Sequence, residues 1–316
     1  MAKLENIGLA FEALNYQNLT IERNLLDSLE SVDIGAWRPY NILIREEQLR
    51  LQEQNLLDTG LYNGDSSIKF IYTDYMADAM SYLEDISTKL RIEDTVVSLE
   101  DEVYYTSKIE GAKTTRVRTT QIHNGEYLDF KNYKSEKMVQ NGFAAVKALN
   151  LYGGKLNEKI LLDVWRVLVD GVCENEDIRG DKYRVGDVTV GNYTPPASDK
   201  VDLLVNGLIN FYNSTTLDQY PFLKASLIHY AFETIHPFCD GNGRMGRLLV
   251  NNYLLKQGIE SAKAVSFSMC IDARRNHYEV AFVDSENNHN DCTPFLSFML
   301  EVMVEAYSNA YRLKNL

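Results

Sequence analysis

The chain has 316 residues, 45% of them hydrophobic. That is enough for one large domain or two modest ones, and it argues against disorder. The 32 Lys and Arg against 45 Asp and Glu give a formal charge of −13, so neither nucleic acid nor an anionic membrane surface is an expected partner. A small anionic ligand stays open, because it needs only a few local donors.

The cysteines Cys173, Cys239, Cys270 and Cys292 form no Cys-x-x-Cys motif and read as reduced thiols of a cytoplasmic protein. The first residues lack the apolar run of a signal peptide. No stretch approaches the ~20 apolar residues of a membrane span.

In chain order, residues 1–60 mix amphipathic pieces with a break near Trp37-Arg38-Pro39-Tyr40, and a helix is predicted over 41–58. Residues 58–65 read as a turn, and helical pattern resumes from about Phe70 to Leu90. From Glu93 to Glu110, Val96, Val97, Leu99, Val103, Tyr104 and Ile109 recur at helical spacing. Gly111 follows as a left-handed helix stop. Further helices are predicted at 136–150 and 157–172.

Around residues 182–192 the period shortens. Tyr183-Arg184-Val185 and Val188-Thr189-Val190 flank Gly186-Asp187, which reads as a β-hairpin closed by Pro195-Pro196. Helices follow at 199–213, 221–235, 244–257 and 291–312. The expected fold is all-α, mainly helical, with one small β-hairpin.

Residues 236–247 carry the chemistry. Pro237 ends the helix that contains Ile235, and Gly241-Asn242-Gly243 forces a tight turn before a new helix. A glycine-rich turn opening a helix is an anion site, since main-chain N–H groups converge at the positive end of the helix dipole. Arg244 and Arg247 can clamp phosphate oxygens. Asp240 can supply a carboxylate to Mg²⁺. His236, with an ordinary pKa near ~6.5, is the natural general base. This inventory fits transfer of a phosphoryl-type group to a hydroxyl.

The run His236-Pro237-Phe238-Cys239-Asp240-Gly241-Asn242-Gly243-Arg244-Met245-Gly246-Arg247 resembles the Fic family motif, His-x-Phe-x-Asp/Glu-Gly-Asn-Gly-Arg-x-x-Arg, at every fixed position. The resemblance covers roughly residues 95–300. That leaves 1–94 as an N-terminal helical region, with no chemistry to read, and 301–316 as a C-terminal helix end.

It implies a helical core with a hairpin flap at 183–196, and transfer of AMP from Mg·ATP to a Ser, Thr or Tyr hydroxyl of a target protein, with release of pyrophosphate. By resemblance His236 is the base, Phe238 packs under the loop and Asp240 holds Mg²⁺. Gly241, Asn242 and Gly243 cradle the α- and β-phosphates. Arg244 takes the β-phosphate and Arg247 the γ-phosphate. The flap residues Val188, Thr189, Val190 and Gly191 dock the target segment. Tyr278 and Asn252 are candidates for the adenine or ribose pocket. Cys239 occupies a variable position and is given no role.

Upstream, Thr106-Ser107-Lys108-Ile109-Glu110-Gly111 resembles the family's inhibitory motif, Ser/Thr-x-x-x-Glu-Gly/Asn. Thr106 and Glu110 share a helix face at i and i+4. The resemblance implies an inhibitory helix at 95–111 whose Glu110 pairs with Arg247 and blocks productive ATP binding. About seventy residues follow Arg247, so a winged-helix appendage is not expected. The alternatives are removal of AMP by the same site, transfer of another nucleotide monophosphate, and a non-enzymatic ATP-binding module. Self-modification and a homodimer are further readings.

Overall fold

The computed structural model describes residues 56–91, 99–152, 154–191, 193–287 and 290–314. The break near Trp37 lies outside these residues, as does nearly all of the helix expected over 41–58. The described chain opens with an antiparallel hairpin, β1 (Leu57–Asn63) and β2 (Ser66–Phe70). The turn expected over 58–65 is therefore corrected: Gly64 and Asp65 turn, and the rest is strand. Thr59 gives the reason. Its Oγ1 donates to the Ile68 carbonyl at 2.8 Å and accepts from Leu61 N at 3.1 Å. A segment of polar composition is thus tied into the ladder.

The helices that follow are α1 (Asp74–Lys89), α2 (Leu99–Ile109), α3 (Arg116–His123), α4 (Tyr133–Leu151), α5 (Glu158–Val169) and α6 (Val201–Asn213). Then come α7 (Pro221–Ile235), α8 (Asn242–Lys256), α9 (Phe267–Ala273), α10 (Arg275–Asn287) and α11 (Thr293–Lys314). Caps fix several starts. Thr73 accepts from Met76 N at α1, and Asn157 accepts from Ile160 N at α5. Gly111, at φ +86°, ends α2, with Ala112 N donating to the Ser107 carbonyl.

Three helices have no counterpart in the predicted elements: α3, α9 and α10. Helix α3 is mostly polar and buries only Thr119 and Ile122. Helix α9 is seven residues long. Helix α10 has a weak apolar stripe, RNHYEVAFVDSEN.

Helix α7 organises the core. Leu223, Leu227, Ile228, Tyr230, Ala231 and Phe232 are all fully buried, so it is enclosed on every side. It packs against α6, α8 and α11. The hairpin joins the same core through Leu61, Ile68 and Phe70. It is also hydrogen-bonded to the residues just before α11, with Lys69 N on the Asn290 carbonyl and Cys292 N on the Lys69 carbonyl.

Lys224 on α7 is buried to 0% exposure. A buried ammonium needs partners. Its Nζ donates to the Ser214 carbonyl at 2.6 Å and Asp218 Oδ1 at 2.7 Å, and it lies over the rings of Phe211 and Tyr253. Asp218→Ala should lower the unfolding free energy by about 2–4 kcal/mol, because it strands that charge. Adding Lys224→Met should return most of the loss. Urea titration of the three proteins measures both effects.

Candidate functional site

The site is built where α7 gives way to α8. His236 caps α7 in the left-handed conformation, φ 49° and ψ 60°, with its N–H on the Phe232 carbonyl. Pro237 disfavours right-handed helix at the preceding residue. A non-glycine residue held this way costs about 1 kcal/mol or more, and the surrounding contacts offset that cost.

Every main-chain carbonyl of the loop from His236 to Gly241 has a partner. Arg184 Nε donates to the His236 carbonyl at 2.9 Å, and Arg184 N donates to the Pro237 carbonyl at 2.9 Å. The Asn242 side chain accepts from Phe238 N at 3.0 Å and donates to the Phe238 carbonyl at 2.9 Å. Asn175 Nδ2 donates to the Cys239 carbonyl, and Trp165 Nε1 to the Asp240 carbonyl. Phe238 is fully buried and stacks on Trp165 with centroids 4.3 Å apart. The loop is fixed before any ligand arrives.

The imidazole of His236 lies above this frame. Its Nδ1 is buried, and the Glu233 main chain is the hydrogen-bonding group that bears on it. Burial pushes its pKa down to about 4, so the ring is neutral near pH 7 and able to accept a proton.

Helix α8 opens at Gly241, φ +82°, with no side-chain cap. A Cβ at Gly241 would come within 2.9 Å of Val169 Cγ1, so both the turn and the packing demand glycine. The first helical hydrogen bond runs from Met245 N to the Gly241 carbonyl. The N–H groups of Asn242, Gly243 and Arg244 precede it, at the positive end of a 15-residue helix. The Asn242 side chain is spent on Phe238, so only its main chain is available to an anion.

Asp240 accepts from Glu174 N at 3.0 Å and from Arg244 Nη2 at 3.2 Å, one bond on each oxygen. Its side chain keeps 20% exposure. Arg244 is buried, with Nη1 on the Leu168 carbonyl at 3.0 Å. It faces the loop carboxylate and α5.

Arg247 is also buried, with the C-terminal end of α2 against it. Its Nε donates to Thr106 Oγ1 at 2.8 Å, and its Nη2 donates to Glu110 Oε1 at 2.6 Å. Burial works to raise the Glu110 carboxyl. The charge and hydrogen bond of Arg247 outweigh it and hold the pKa below the ordinary carboxylate value. Gly243 makes room for this contact: a Cβ there would stand 2.2 Å from Glu110 Oε1. Helix α2 is itself pinned to α9, since Glu102 Oε2 accepts from Ser266 Oγ at 2.8 Å and Ser268 N at 3.1 Å.

Behind Arg247, Gly246 lets two buried groups approach α8. A Cβ there would meet Glu233 Oε1 and His229 Nδ1, both at 2.7 Å. Burial raises the Glu233 carboxyl to about 8 and lowers the His229 ring to about 3.

The structure places the two pocket candidates and corrects one expectation, the position of the hairpin turn. Tyr278 lies buried among Phe282, Phe295 and Phe298, its hydroxyl 2.9 Å from His229 Nε2. Asn252 Oδ1 is buried and accepts from the Tyr212 hydroxyl at 2.7 Å. Asn252 also lines a cavity between α2, α4 and α8, together with Thr106 and Arg244. The hairpin expected around Gly186-Asp187 turns elsewhere. The main-chain pair is Val190 with Tyr193, with Gly191 at φ +58°. Arg184 Nη1 donates to the Gly186 carbonyl at 2.8 Å, and among the described residues no main-chain hydrogen bond crosses Gly186-Asp187. Thr189, Val190 and Gly191 are exposed and Val188 is half-buried.

Sequence reasoning missed Arg184, Trp165 and Glu102. All three act on residues more than fifty positions away. A buried arginine flanked by β-type residues was the one usable signal.

Residues 155–254 match the model of the Fic/DOC family. The chain contains a Fic domain. It is 26% identical over 239 residues to a protein adenylyltransferase Fic of Aedes aegypti, covering 74% of this chain and 46% of that one. It is 30% identical over 190 residues to the Drosophila ananassae protein of the same name, covering 58% and 37%. The chain thus spans less than half the length of these relatives. Among solved structures, a Fic family protein from Desulfovibrio desulfuricans G20 superposes with a TM-score of 0.68 at 23% identity, covering 78% of this chain and 77% of that one. Fic-1 of C. elegans gives 0.60 at 20% identity, covering 75% and 72%. These two likenesses establish the fold.

Asn242→Ala should leave the Phe238 N–H and carbonyl buried without partners, at a cost of about 2–4 kcal/mol. Denaturant unfolding measures the loss, and amide exchange over 236–240 should quicken. Glu233 supplies a pH-dependent test. Its folded pKa of about 8 exceeds its ordinary value of 4.5, so the folded state holds the extra proton between them. Raising the pH through that window therefore costs stability. The stability of Glu233→Gln relative to the unmodified chain should climb from about pH 5 to about pH 8, by at most about 1.4 kcal/mol per unit.

Proposed function

We propose that this chain is an autoinhibited protein adenylyltransferase that moves AMP from Mg·ATP to a Ser, Thr or Tyr hydroxyl of a target protein. The observation that carries this reading is the pairing of a complete anion nest with Glu110 on its second arginine. A neutral His236, the uncapped start of α8, and Asp240 lie on one loop. Arg247, three residues beyond Arg244, is occupied by Thr106 and Glu110.

In the proposed reaction the imidazole of His236 takes the proton of the acceptor hydroxyl. The hydroxyl oxygen attacks the α-phosphorus, and the bond to pyrophosphate breaks. The N–H groups of Asn242, Gly243 and Arg244 stabilise charge on the phosphate oxygens without reorganising. Asp240 fits Mg²⁺, which favours one or two carboxylates plus phosphate oxygens and water. Each of its oxygens carries one hydrogen bond and has a lone pair left. When bound, Mg²⁺ would neutralise phosphate charge. The exposed Thr189 and Val190 would align an extended target segment by main-chain pairing.

At rest, Glu110 fills the place on Arg247 that the γ-phosphate would take. The phosphate chain then lies out of line for attack. Gly243 fits this reading, since its missing side chain is what lets the carboxylate reach over the nest.

Transfer of label from α-labelled ATP to protein tests this directly. Glu110→Gly should raise it on the order of a hundredfold, the worth of one aligned charge-stabilising donor. Adding His236→Ala should return it to background. No gain with Glu110→Gly would contradict autoinhibition, and undiminished label with the His236 change would contradict the mechanism.

A further inference from the structure

The loop that carries Asp240 has a neighbour that the proposed chemistry does not use. Cys239 Sγ lies 3.4 Å from Cys173 Sγ, and both are free thiols. A disulfide needs about 2.05 Å, so the sulfurs are in contact and about 1.4 Å from bonding distance. The residues after Cys173 already lie along the loop. Glu174 N holds Asp240 Oδ2 and Asn175 Nδ2 holds the Cys239 carbonyl. Residues 173–175 therefore form a strap that touches Cys239 and Asp240 three times.

The two ends of the strap differ in freedom. Phe238 is fastened by Asn242 and packed under Trp165, which fixes the loop side. Cys173 follows the end of α5 through a turn with Gly171 at φ +68°. It is half-buried, whereas Cys239 is buried. An oxidant therefore reaches Cys173 first.

We infer that Cys173 and Cys239 are a modification site: a reversible disulfide that fastens the strap to the loop and restrains Asp240. The co-reactant is a low-molecular-weight disulfide. The Cys173 sulfur attacks one of its sulfurs, forms a mixed disulfide and releases one small thiol. The Cys239 sulfur then attacks Cys173 Sγ and releases the second. Two cysteine thiols are oxidised, the small disulfide is reduced to two thiols, and the two thiol protons leave with them. The consequence for AMP transfer rests on the function proposed above; the bond itself does not.

The test uses the full chain and oxidised glutathione as the probe, with three readouts. Differential alkylation and peptide mass spectrometry should find Cys173 joined to Cys239, and no such link in Cys173→Ser. Amide exchange should slow across 172–176 and 237–241 in the oxidised chain, and recover with dithiothreitol. In the Glu110→Gly background, oxidation should cut transfer about tenfold or more, since a displacement near 1 Å at a reacting site has effects of that order. A persistent mixed disulfide on Cys173 with Cys239 still open to alkylation would overturn the inference, as would unchanged exchange. A linked chain with undiminished transfer would overturn the restraint on Asp240. If the reduced Glu110→Gly protein transfers no label, the proposed function fails, while the peptide and exchange readouts still decide the bond.

Discussion

A guanidinium buried at the start of a helix must have a partner, and Arg247 finds one in Glu110. Leaving such a charge unpaired costs several kcal/mol. The same low-dielectric setting that would make Arg247 effective on phosphate also makes it take another anion when phosphate is absent. Glu110 reaches it because Gly243 has no side chain, because Thr106 shares its helix face, and because Glu102 pins α2 to the segment before α9. Three elements far apart in sequence thus fix one contact of 2.6 Å.

The opposite side of the nest obeys the same accounting. The loop from His236 to Gly241 is irregular main chain inside the protein, so each of its polar groups needs a partner. Arg184, Trp165, Asn175 and the Asn242 side chain supply them to the carbonyls from His236 to Asp240 and to Phe238 N. The N–H groups at the start of α8 are left for a ligand. A rigid frame with its open donors gathered at one helix end is a site organised in advance for an anion. The left-handed His236 sets the direction from which its imidazole meets it.

Much of this was legible in the sequence, and the pattern of what was not is physical. The 236–247 loop could be read because its chemistry is local: a helix breaker, two glycines, two arginines and a base within twelve residues. Most helices could be read because their apolar residues repeat at the helical period, α5 most clearly. The strand β1 could not, because Thr59 and Gly60 look like turn residues until the Ile68 carbonyl comes to accept from the Thr59 hydroxyl. The partners of Tyr278 and Asn252 could not be read either, because a tyrosine or an asparagine at helical spacing says nothing about which group lies across the core. The reach from Glu110 to Arg247 spans 137 positions. Spacing alone put Glu110 and Thr106 on one face, and only the family resemblance named their partner.

The contest between carboxylate and phosphate for Arg247 is most directly measured by calorimetric titration of ATP and ADP into the unmodified chain and into Glu110→Gly. ADP lacks the γ-phosphate that the proposed function assigns to Arg247. ATP binding should tighten about tenfold in Glu110→Gly, the worth of about 1.4 kcal/mol, while ADP binding should hardly change. Equal tightening of both nucleotides, or of neither, would contradict the assignment of Glu110 as the group that stands in the place of the γ-phosphate.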